Sequence, residues 1–326
     1  MRGAYAWGPF HRFWVSDPKR REIRAAPFRD RVVHHALFNV LDPIFRHSFI
    51  ADSYACIAGR GTHGAVERYQ AFVRARAGRG YRVQVDVRRY FASVDHAVLL
   101  ERLRRRIADT RLLAVLEALI AHGADEPGRG MPIGSLTSQL FANVYLDALD
   151  HFVKEELRVR HYLRYMDDVL LLADDRREAR DRLRAVRAFL TEVLRLELNP
   201  RRVIVAPIGE PSDLLGYVHY PGGRVRVRRR SVRRLWRRLP ALERRGRTGD
   251  RCRERSGVRR QLVRSRQAWR CLPPLAAHLH AARRRERRQA LAGAIAGAFR
   301  SRANRLSPSR LCTTGAVQWQ DELKLE

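Results

Sequence analysis

Two adjacent aspartates, Asp167 and Asp168, interrupt the apolar stretch HYLRYMDDVLLLADD. Adjacent carboxylates repel each other, and neither is cheap to bury. The pattern predicts two short strands joined by a tight turn at the aspartates. Because Asp is common in solvated hairpin turns, the pair alone favours an ordinary surface turn over a functional site.

An upstream aspartate changes that balance. The segment YRVQVDVRRYF predicts a strand in which three valines alternate and Asp86 lies on the opposite face. If both segments belong to one sheet, Asp86 lies beside the turn and three carboxylates converge. They would repel unless a cation neutralised them, and magnesium prefers hard oxygen ligands. Two such ions can stabilise the attacking and leaving oxygens of a phosphoryl displacement, so we expect a magnesium site.

Charge points to a polyanionic partner. The 326 residues contain 66 Lys and Arg against 34 Asp and Glu, a net charge of +32. A surplus of this size suits nucleic acid, and 45% hydrophobic residues indicate a globular chain. The four cysteines are far apart, which argues against a zinc site and fits a reducing cytoplasm. We find no membrane-spanning run and no signal peptide, so no membrane partner is expected.

The order of predicted elements suggests a known type of sheet. From 81 to 205 it is β-α-α-β-β-α-β, which resembles a split βαβ, ferredoxin-like sheet with helices on one face. One helical stretch is expected over 98–121. Upstream, FHRFWVSDPKRREIRAAPF predicts a hairpin with a basic tip, and RDRVVHHALFNVLDPIF predicts a helix. Its apolar stripe contains Val32, Val33, Ala36, Leu37, Val40, Leu41 and Ile44.

The motifs themselves resemble those of reverse transcriptases. RYMDD resembles the catalytic box of that family, and VDVRRYFASVD resembles its first catalytic box. The resemblance implies that Asp86, Asp167 and Asp168 are catalytic and hold two Mg²⁺, for which Mn²⁺ can substitute. It places the backbone carbonyl of Val87 near the metal and makes Phe91 the steric gate that excludes a ribose 2′-OH. Phe91 can equally be a core residue.

The resemblance also implies an architecture: an α+β right-hand polymerase with a ferredoxin-like palm sheet and a helical, arginine-rich thumb. We assign 1–80 to the fingers and 81–223 to the palm, with interleaved fingers elements. Residues 224–305 are assigned to the basic thumb, and 306–326 form a tail without an assigned role. The thumb has leucines and Trp236 at helical spacing opposite arginines, which suits a helix lying along an RNA–DNA hybrid.

Further motifs imply contacts with nucleotide and nucleic acid. DPKRREI resembles the fingers hairpin that grips the triphosphate, whereas its Arg20 is expected to be a solvated cation. LELNPRR carries an arginine at the usual lysine position, which supplies charge but does not readily give up a proton. In DLLGY, Gly216 is expected to permit close backbone approach. We expect His34 and His35 to pack. The implied nucleotide contacts here are Lys19, Arg21 and Arg202; the implied nucleic-acid contacts are Arg29, Arg31, Tyr165, Met166, Gly216, Tyr217, Arg229, Arg233 and Arg237.

One segment, MPIGSLTSQLFANVYLD, separates the subfamilies. It begins Ile133-Gly134 and ends Ser138-Gln139, as in reverse transcriptases of diversity-generating retroelements. The resemblance places Ile133, Gly134 and Gln139 in the nucleotide pocket. Isoleucine cannot form the hydrogen bond that the glutamine of other subfamilies makes, so less binding energy depends on correct pairing and selectivity falls. Ile133 can also be a simple packing residue.

This subfamily copies template RNA into cDNA from deoxynucleoside triphosphates, with frequent errors at adenines, for mutagenic retrohoming. Its partner is a basic oligomeric accessory variability determinant protein, which would associate with this basic chain more easily with RNA between them. The resemblance therefore implies a cytoplasmic RNA-directed DNA polymerase. Alternatives are another bacterial reverse transcriptase, either defence-associated or group II intron-like, and a non-catalytic RNA-binding protein that kept the fold.

Overall fold

The structure, a computed structural model, describes residues 5–16, 20–234, 236 and 237. The chain forms two compact units, Met1–Arg228 and Arg229–Glu326. In the second unit, residues 229–234, 236 and 237 are helical. The predicted contact Lys19, the Asp17-Pro18 turn, the tail 306–326 and most of the segment assigned to the thumb lie outside the described residues.

The first unit mixes helices with three antiparallel sheets. Its helices are α1 (Phe28–Arg46), α2 (Thr62–Ala75), α3 (Tyr90–Ser93), α4 (His96–Arg104), α5 (Thr110–His122), α6 (Leu136–His151) and α7 (Arg176–Glu192). Its strands are β1 (His11–Ser16), β2 (Arg20–Ala25), β3 (Tyr81–Asp86), β4 (Tyr162–Tyr165), β5 (Asp168–Ala173), β6 (Ile204–Pro207), β7 (Ser212–Leu214), β8 (Tyr217–His219) and β9 (Val225–Val227). Shorter turns are π-helical at Phe152–Glu156 and 3₁₀ at Pro200–Arg202 and Pro221–Gly223.

The central sheet, which we call the palm sheet, has the strand order β4-β5-β3-β6 with every pair antiparallel. Alternation along β3 and β5 sends Val83 and Val85 into the main core, and Leu170 and Leu172 into a second core on the other face. The helices of the 81–205 unit pack on the main-core face, as expected, and the second face is covered by α2, which precedes that unit. Because β5 is apolar on both sides, α2 packs over the second face and contributes Tyr69 to its core.

Helix α1 forms as predicted, but its apolar stripe does not face the core throughout. Val32 and Val40 are 54% and 56% exposed, whereas His34, Leu41 and Phe45 are buried. The buried side of α1 lies against α6, which presents polar groups at this point. The side chain of His34, through Nδ1, is therefore hydrogen-bonded to hydroxyls at the start of α6, which explains how a histidine replaces an aliphatic residue there.

Contacts with the N-terminal segment are a second reason why Val32 and Val40 lie on the exposed side of α1. Asp30 is buried in the first turn and accepts hydrogen bonds from the Tyr5 hydroxyl at 2.7 Å and the Gly8 backbone N–H at 2.7 Å. A carboxylate satisfied in this way can be buried at modest cost. His35, which we expected to pack, is exposed.

The helical stretch expected over 98–121 is divided into α4 and α5. Asp109 ends the loop between them and caps α5 by accepting hydrogen bonds from the N–H groups of Arg111 at 2.8 Å and Leu112 at 3.1 Å. An aspartate that competes for backbone N–H groups favours a helix start over a helix interior. Among the helices of the described residues, none has the length and apolar character needed to cross a membrane.

Candidate active site

The three aspartates lie at one end of the palm sheet. Asp86 is the last residue of β3 and is paired directly with Asp168, the first residue of β5. Met166 and Asp167 form the two-residue turn between β4 and β5, where Tyr165 pairs with Asp168. Directly paired residues project to the same face of a sheet, so Tyr165, Asp168 and Asp86 form a row across three strands. The sequence predicted this convergence from the motif order.

The three carboxylates, Asp86, Asp167 and Asp168, are close enough to repel one another. Burial raises the pKa of Asp167 well above its usual range, and the negative charges of Asp168 and Asp86 raise it further, together with a side-chain hydrogen bond to Asp86. A carboxylate that is hard to ionise beside two others marks a place where an added cation would relieve repulsion. The donor set is hard oxygen only, which suits a divalent ion such as magnesium.

Asp86 has two cationic or amide neighbours from the segment before β6. Asn199 donates its side-chain amide to Oδ2 of Asp86 at 3.2 Å, and its backbone N–H to the Asp86 carbonyl at 2.8 Å. The Nε of Arg202 lies 3.6 Å from the same Oδ2. The structure thus places Arg202 beside Asp86, and the implied contact of Arg202 with nucleotide phosphates stays a prediction. Sequence reasoning missed Asn199, although an asparagine before a proline after a strand-like segment is a signal for a fixed turn.

The coordination set that we expected is not preformed. Within the described part of the chain, no three His, Cys, Asp or Glu side chains form a ready-made metal-binding group. The physical reason is visible at Asp86, whose Oδ2 is shared between Asn199 and Arg202. Val87, whose carbonyl was implied as a further ligand, is buried, and its N–H lies 3.4 Å from the Asp167 carbonyl. The residues fit a divalent cation by charge and ligand type, but they do not yet form its coordination sphere.

The fingers hairpin β1–β2 docks on the Ile133-Gly134 motif. The N–H of Arg24 donates to the Ile133 carbonyl at 3.1 Å. Gly134 has φ +113°, and a Cβ there would lie 3.0 Å from Cγ2 of Ile23, so both the backbone conformation and the close approach require glycine. Side chains alternate along a strand, so Arg21 shares the face of Ile23 that meets this motif.

The opposite face of the hairpin carries Arg20 and Trp14. The guanidinium carbon of Arg20 lies 4.3 Å from the centre of the Trp14 ring, and Trp14 is 58% exposed. Arg20, expected to be a solvated cation, is exposed, and the structure also places it on an aromatic ring. An exposed aromatic residue with a stacked arginine is a common surface for unpaired bases, and it has no sequence signal beyond an aromatic residue in a basic hairpin.

Phe91, the expected steric gate, lies next to the segment that carries the Ile133-Gly134 motif. Phe91 is half-buried on α3, with its ring centre 5.5 Å from that of Tyr90, and packs against the main core. Its carbonyl accepts a hydrogen bond at 2.8 Å from the N–H of Met131, two residues before Ile133. Ile133 and Gln139 are also half-buried, and Gln139 lies in the first turn of α6. The structure therefore joins the two nucleotide motifs through backbone contacts.

The expected primer-grip turn joins β7 and β8. Leu215 and Gly216 have φ angles of +51° and +87°, which is a two-residue hairpin turn. A Cβ at Gly216 would meet no protein atom within 4 Å, so within the chain the glycine serves the left-handed conformation, and its close approach to a backbone stays a prediction. The Tyr217 hydroxyl is 3.1 Å from Nε2 of His63. The next residue back, Thr62, has its hydroxyl 3.0 Å from that of Tyr165.

The remaining predicted nucleic-acid contacts are dispersed. Arg29 donates to the Ala6 carbonyl at 2.6 Å and lies beside Asp30, so it fastens the N-terminal segment. Arg31 is exposed, with its guanidinium over the ring of Phe28. In the second unit, three arginines share one side of the helical residues by their spacing and are exposed: Arg229, Arg233 and Arg237.

A buried hydrogen-bond network lies behind the Met166-Asp167 turn, which we call the catalytic turn. The sequence did not predict this network. Arg164, on β4, is fully buried and forms a two-point ion pair with Asp150 of α6, with Nε–Oδ1 at 2.8 Å and Nη2–Oδ2 at 2.7 Å. Its Nη1 also donates to the side-chain carbonyl of Asn143 at 3.0 Å and to the Met166 carbonyl at 3.1 Å. A charged residue within an apolar strand pattern is the signal that could have found it.

A palm sheet with three acidic residues converging at one end defines a nucleotidyltransferase of the right-hand polymerase class. The reverse transcriptase (RNA-dependent DNA polymerase) family matches residues 16–218, and the chain belongs to that family. It is 25% identical over 259 residues to protein YkfC of Escherichia coli K12, covering 67% of this chain and 68% of that protein.

Other relatives come from introns and telomerases. The chain is 26% identical over 160 residues to the group II intron-encoded protein LtrA of Lactococcus lactis, covering 46% of this chain but 26% of LtrA. Two telomerase structures share the fold. That of Candida albicans has a TM-score of 0.50 at 12% identity, with 68% of this chain and 47% of that chain covered. That of Candida tropicalis has a TM-score of 0.51 at 9% identity, with 70% and 50% covered.

Proposed function

We propose that this chain makes cDNA by extending a primer on an RNA template, using deoxynucleoside triphosphates. The observation that carries the proposal is the direct pairing of Asp86 with Asp168 beside the Met166-Asp167 turn. This arrangement concentrates three acids where a primer 3′-hydroxyl could attack an α-phosphate. Bound there, two Mg²⁺ would activate the hydroxyl and neutralise the leaving pyrophosphate, and Mn²⁺ can substitute.

The chain's own residues orient the nucleotide. Arg21 lies on the hairpin face that meets Gly134, so we assign it, together with Lys19, to the triphosphate. Arg202 lies beside Asp86 and supplies positive charge for the phosphates without acting as a proton donor. Phe91 and Ile133 are assigned to the sugar and base region, with Gln139 at the start of α6.

Template and hybrid contacts are assigned to basic and aromatic residues around this centre. The fingers contribute Arg31, and the turn contributes Tyr165 and Met166. The primer-grip hairpin contributes Gly216 and Tyr217. In the second unit, exposed arginines from Arg229 to Arg237 are assigned to the backbone of the hybrid, where contacts are strongly salt-dependent. We retain the division into fingers at 1–80, palm at 81–223 and thumb at 224–305.

For the biological role, we propose error-prone copying in a diversity-generating retroelement, with a basic accessory variability determinant protein as partner. The IGSLTSQ motif supports this role. The second candidate is a group II intron-like reverse transcriptase, which the similarity to LtrA favours. The two candidates differ in fidelity, since an isoleucine at position 133 removes a directional contact.

Primer extension on a defined RNA template tests the polymerase proposal. We expect Mg²⁺-dependent cDNA from the unmutated protein and none from the Asp167→Ala/Asp168→Ala variant. Absence of cDNA from the unmutated protein, in Mg²⁺ and in Mn²⁺, would refute it. Sequencing the product then distinguishes the roles: errors concentrated at template adenines support the retroelement, whereas uniform accuracy supports the intron-like alternative. An Ile133→Gln variant should raise accuracy in the first case.

A further inference from the structure

The fully buried guanidinium of Arg164 lies directly behind the catalytic turn. The guanidinium donates four hydrogen bonds: two to Asp150, one to Asn143 and one to the carbonyl of Met166. Asp150 is itself held by the Tyr162 hydroxyl at 2.6 Å, and Asp150 and Asn143 are both buried on α6. The group is therefore fixed in orientation from several sides before it reaches the turn.

The carbonyl that Arg164 holds belongs to the peptide between Met166 and Asp167. Met166 has φ +53°, a left-handed conformation that costs a non-glycine residue about 1 kcal/mol. Met166 is also buried, with 7% of its surface exposed. A strained conformation persists only where the surroundings determine it, and the Nη1 hydrogen bond at 3.1 Å supplies such a restraint. Fixing this peptide plane fixes the origin of the Asp167 side chain.

Stability alone does not explain this arrangement. A buried ion pair rarely repays the cost of removing two charges from water, and a pair of apolar residues would serve the core as well. An apolar pair could not bond the Met166 carbonyl. The helix that carries Asp150 and Asn143 begins two residues after Gly134, so the same element follows the Ile133-Gly134 motif and reaches the catalytic turn through Arg164.

We propose that Arg164, oriented by Asp150 and Asn143, is a positioning residue that sets the Met166–Asp167 peptide and thereby aims the Asp167 carboxylate at the divalent-metal site. This inference rests on the proposed polymerase function for its catalytic consequence. Its structural consequence, the affinity of the turn for a divalent cation, does not require polymerisation.

The first test uses Arg164→Lys, which keeps the positive charge beside Asp150 but removes the fork that reaches Asn143 and Met166. The matched control is Arg82→Lys. Arg82 is also buried, on β3 of the same sheet, but its guanidinium binds the carbonyls of Pro207, Glu210 and Pro211, away from the turn. Binding of MnCl₂ to the full chain is measured by titration calorimetry, and primer extension is measured against Mg²⁺ concentration.

We expect Arg164→Lys to weaken Mn²⁺ binding and raise the half-saturating Mg²⁺ about 10- to 100-fold, as loss of a residue supporting metal ligands does elsewhere. Arg82→Lys should change only the unfolding midpoint. If both variants lose activity in proportion to their stability, with metal dependence unchanged, Arg164 is merely structural and the proposal is wrong. If the unmutated protein makes no cDNA, the polymerase proposal fails, while the Mn²⁺ titration still decides the positioning role.

Two further variants guard against a failure of Arg164→Lys to fold. Asn143→Ser leaves the Asp150 ion pair in place and removes the acceptor that orients Nη1, so it should give a smaller shift of the same kind. Met166→Gly removes the backbone strain that Arg164 restrains. The Arg164→Lys substitution should therefore cost less Mn²⁺ affinity with Met166→Gly than without it, and equal costs in the two backgrounds would refute the mechanism.

Discussion

Two clusters of charge lie on opposite faces of the palm sheet. On one face, Arg164 and Asp150 are both fully buried and neutralise each other at 2.7 Å. On the other face, Asp86 and Asp168 converge with Asp167 of the adjoining turn, and the Nε of Arg202 lies 3.6 Å from Asp86. The first cluster is complete within the chain. In the second, burial raises the pKa of Asp167 and the negative charges of Asp168 and Asp86 raise it further, so it is the cluster that an external cation can complete.

The largest expected effect is on the cluster of Asp86, Asp167 and Asp168, which we call the open cluster. Asp86→Asn should lower primer extension about 10⁴-fold or more, because the loss of a ligand removes several kcal/mol of transition-state stabilisation. Without metal, the unfolding midpoint should stay the same or rise, since one repelling charge is gone. Primer extension and thermal denaturation of the same preparation measure the two effects. A parallel loss of activity and stability would contradict the comparison.

Removing a charge from the Arg164–Asp150 pair, which we call the closed cluster, should instead lower the stability of the fold. Asp150→Asn preserves size but leaves Arg164 buried without its counter-ion, which should lower the free energy of unfolding by about 3–5 kcal/mol. The control is Glu101→Gln, which breaks the exposed Arg105–Glu101 pair of α4 and should cost less than about 1 kcal/mol. Urea denaturation measures both. Similar losses in the two variants would show that burial of the pair is unimportant.

These two clusters also show what sequence could predict. The open cluster was predicted because its residues carry a motif and a strand register brings Asp86 opposite Asp168. The closed cluster was missed because Asp150 and Arg164 interact through tertiary packing between α6 and β4. The same limit explains α1: a 3.6-residue pattern predicts a helix at Val32 and Val40, but contacts with α6 and with the N-terminal segment determine which side is buried.

The site shows a similar division. The motif predicted a phosphate contact for Arg202, whereas the contacts of Arg202 and Asn199 with Asp86 depend on the backbone path after Leu198. The left-handed φ of Gly216 was not predicted, because φ is a property of the folded backbone rather than of the motif. Stacking of Arg20 on Trp14 likewise follows from the strand pairing.

Two buried histidines, His34 and His219, differ from both clusters because burial favours their neutral form. Burial lowers the pKa of His34 to about 4, and burial also lowers that of His219 to about 4. A histidine with a folded pKa below its unfolded value of about 6.5 binds protons better when unfolded. Stability should therefore fall as pH decreases from 6.5 towards 4, by about 2 kcal/mol per histidine at pH 5.

The His34→Gln variant isolates this effect. The difference in its free energy of unfolding between pH 7 and pH 5 should be smaller than that of the unmutated protein by about 2 kcal/mol. Urea denaturation at the two pH values measures it, and His35→Gln on the exposed side of α1 is the control. An equal pH dependence for His34→Gln and the unmutated protein would mean that the buried imidazole is protonated in the folded state.

The smallest effect concerns Arg202, the internal cation of the open cluster. An arginine stays protonated across the accessible pH range, so it neutralises Asp86 and phosphates without donating a proton. Arg202→Lys should change kcat by less than about tenfold at pH 7, because charge is retained and proton donation becomes available. The difference should appear in the pH profile of single-nucleotide incorporation. The lysine variant should lose rate as alkaline pH removes its proton, whereas the unmutated protein and an Arg201→Lys control should not. Identical profiles in all three would show that the residue at position 202 acts on neither the phosphates nor Asp86.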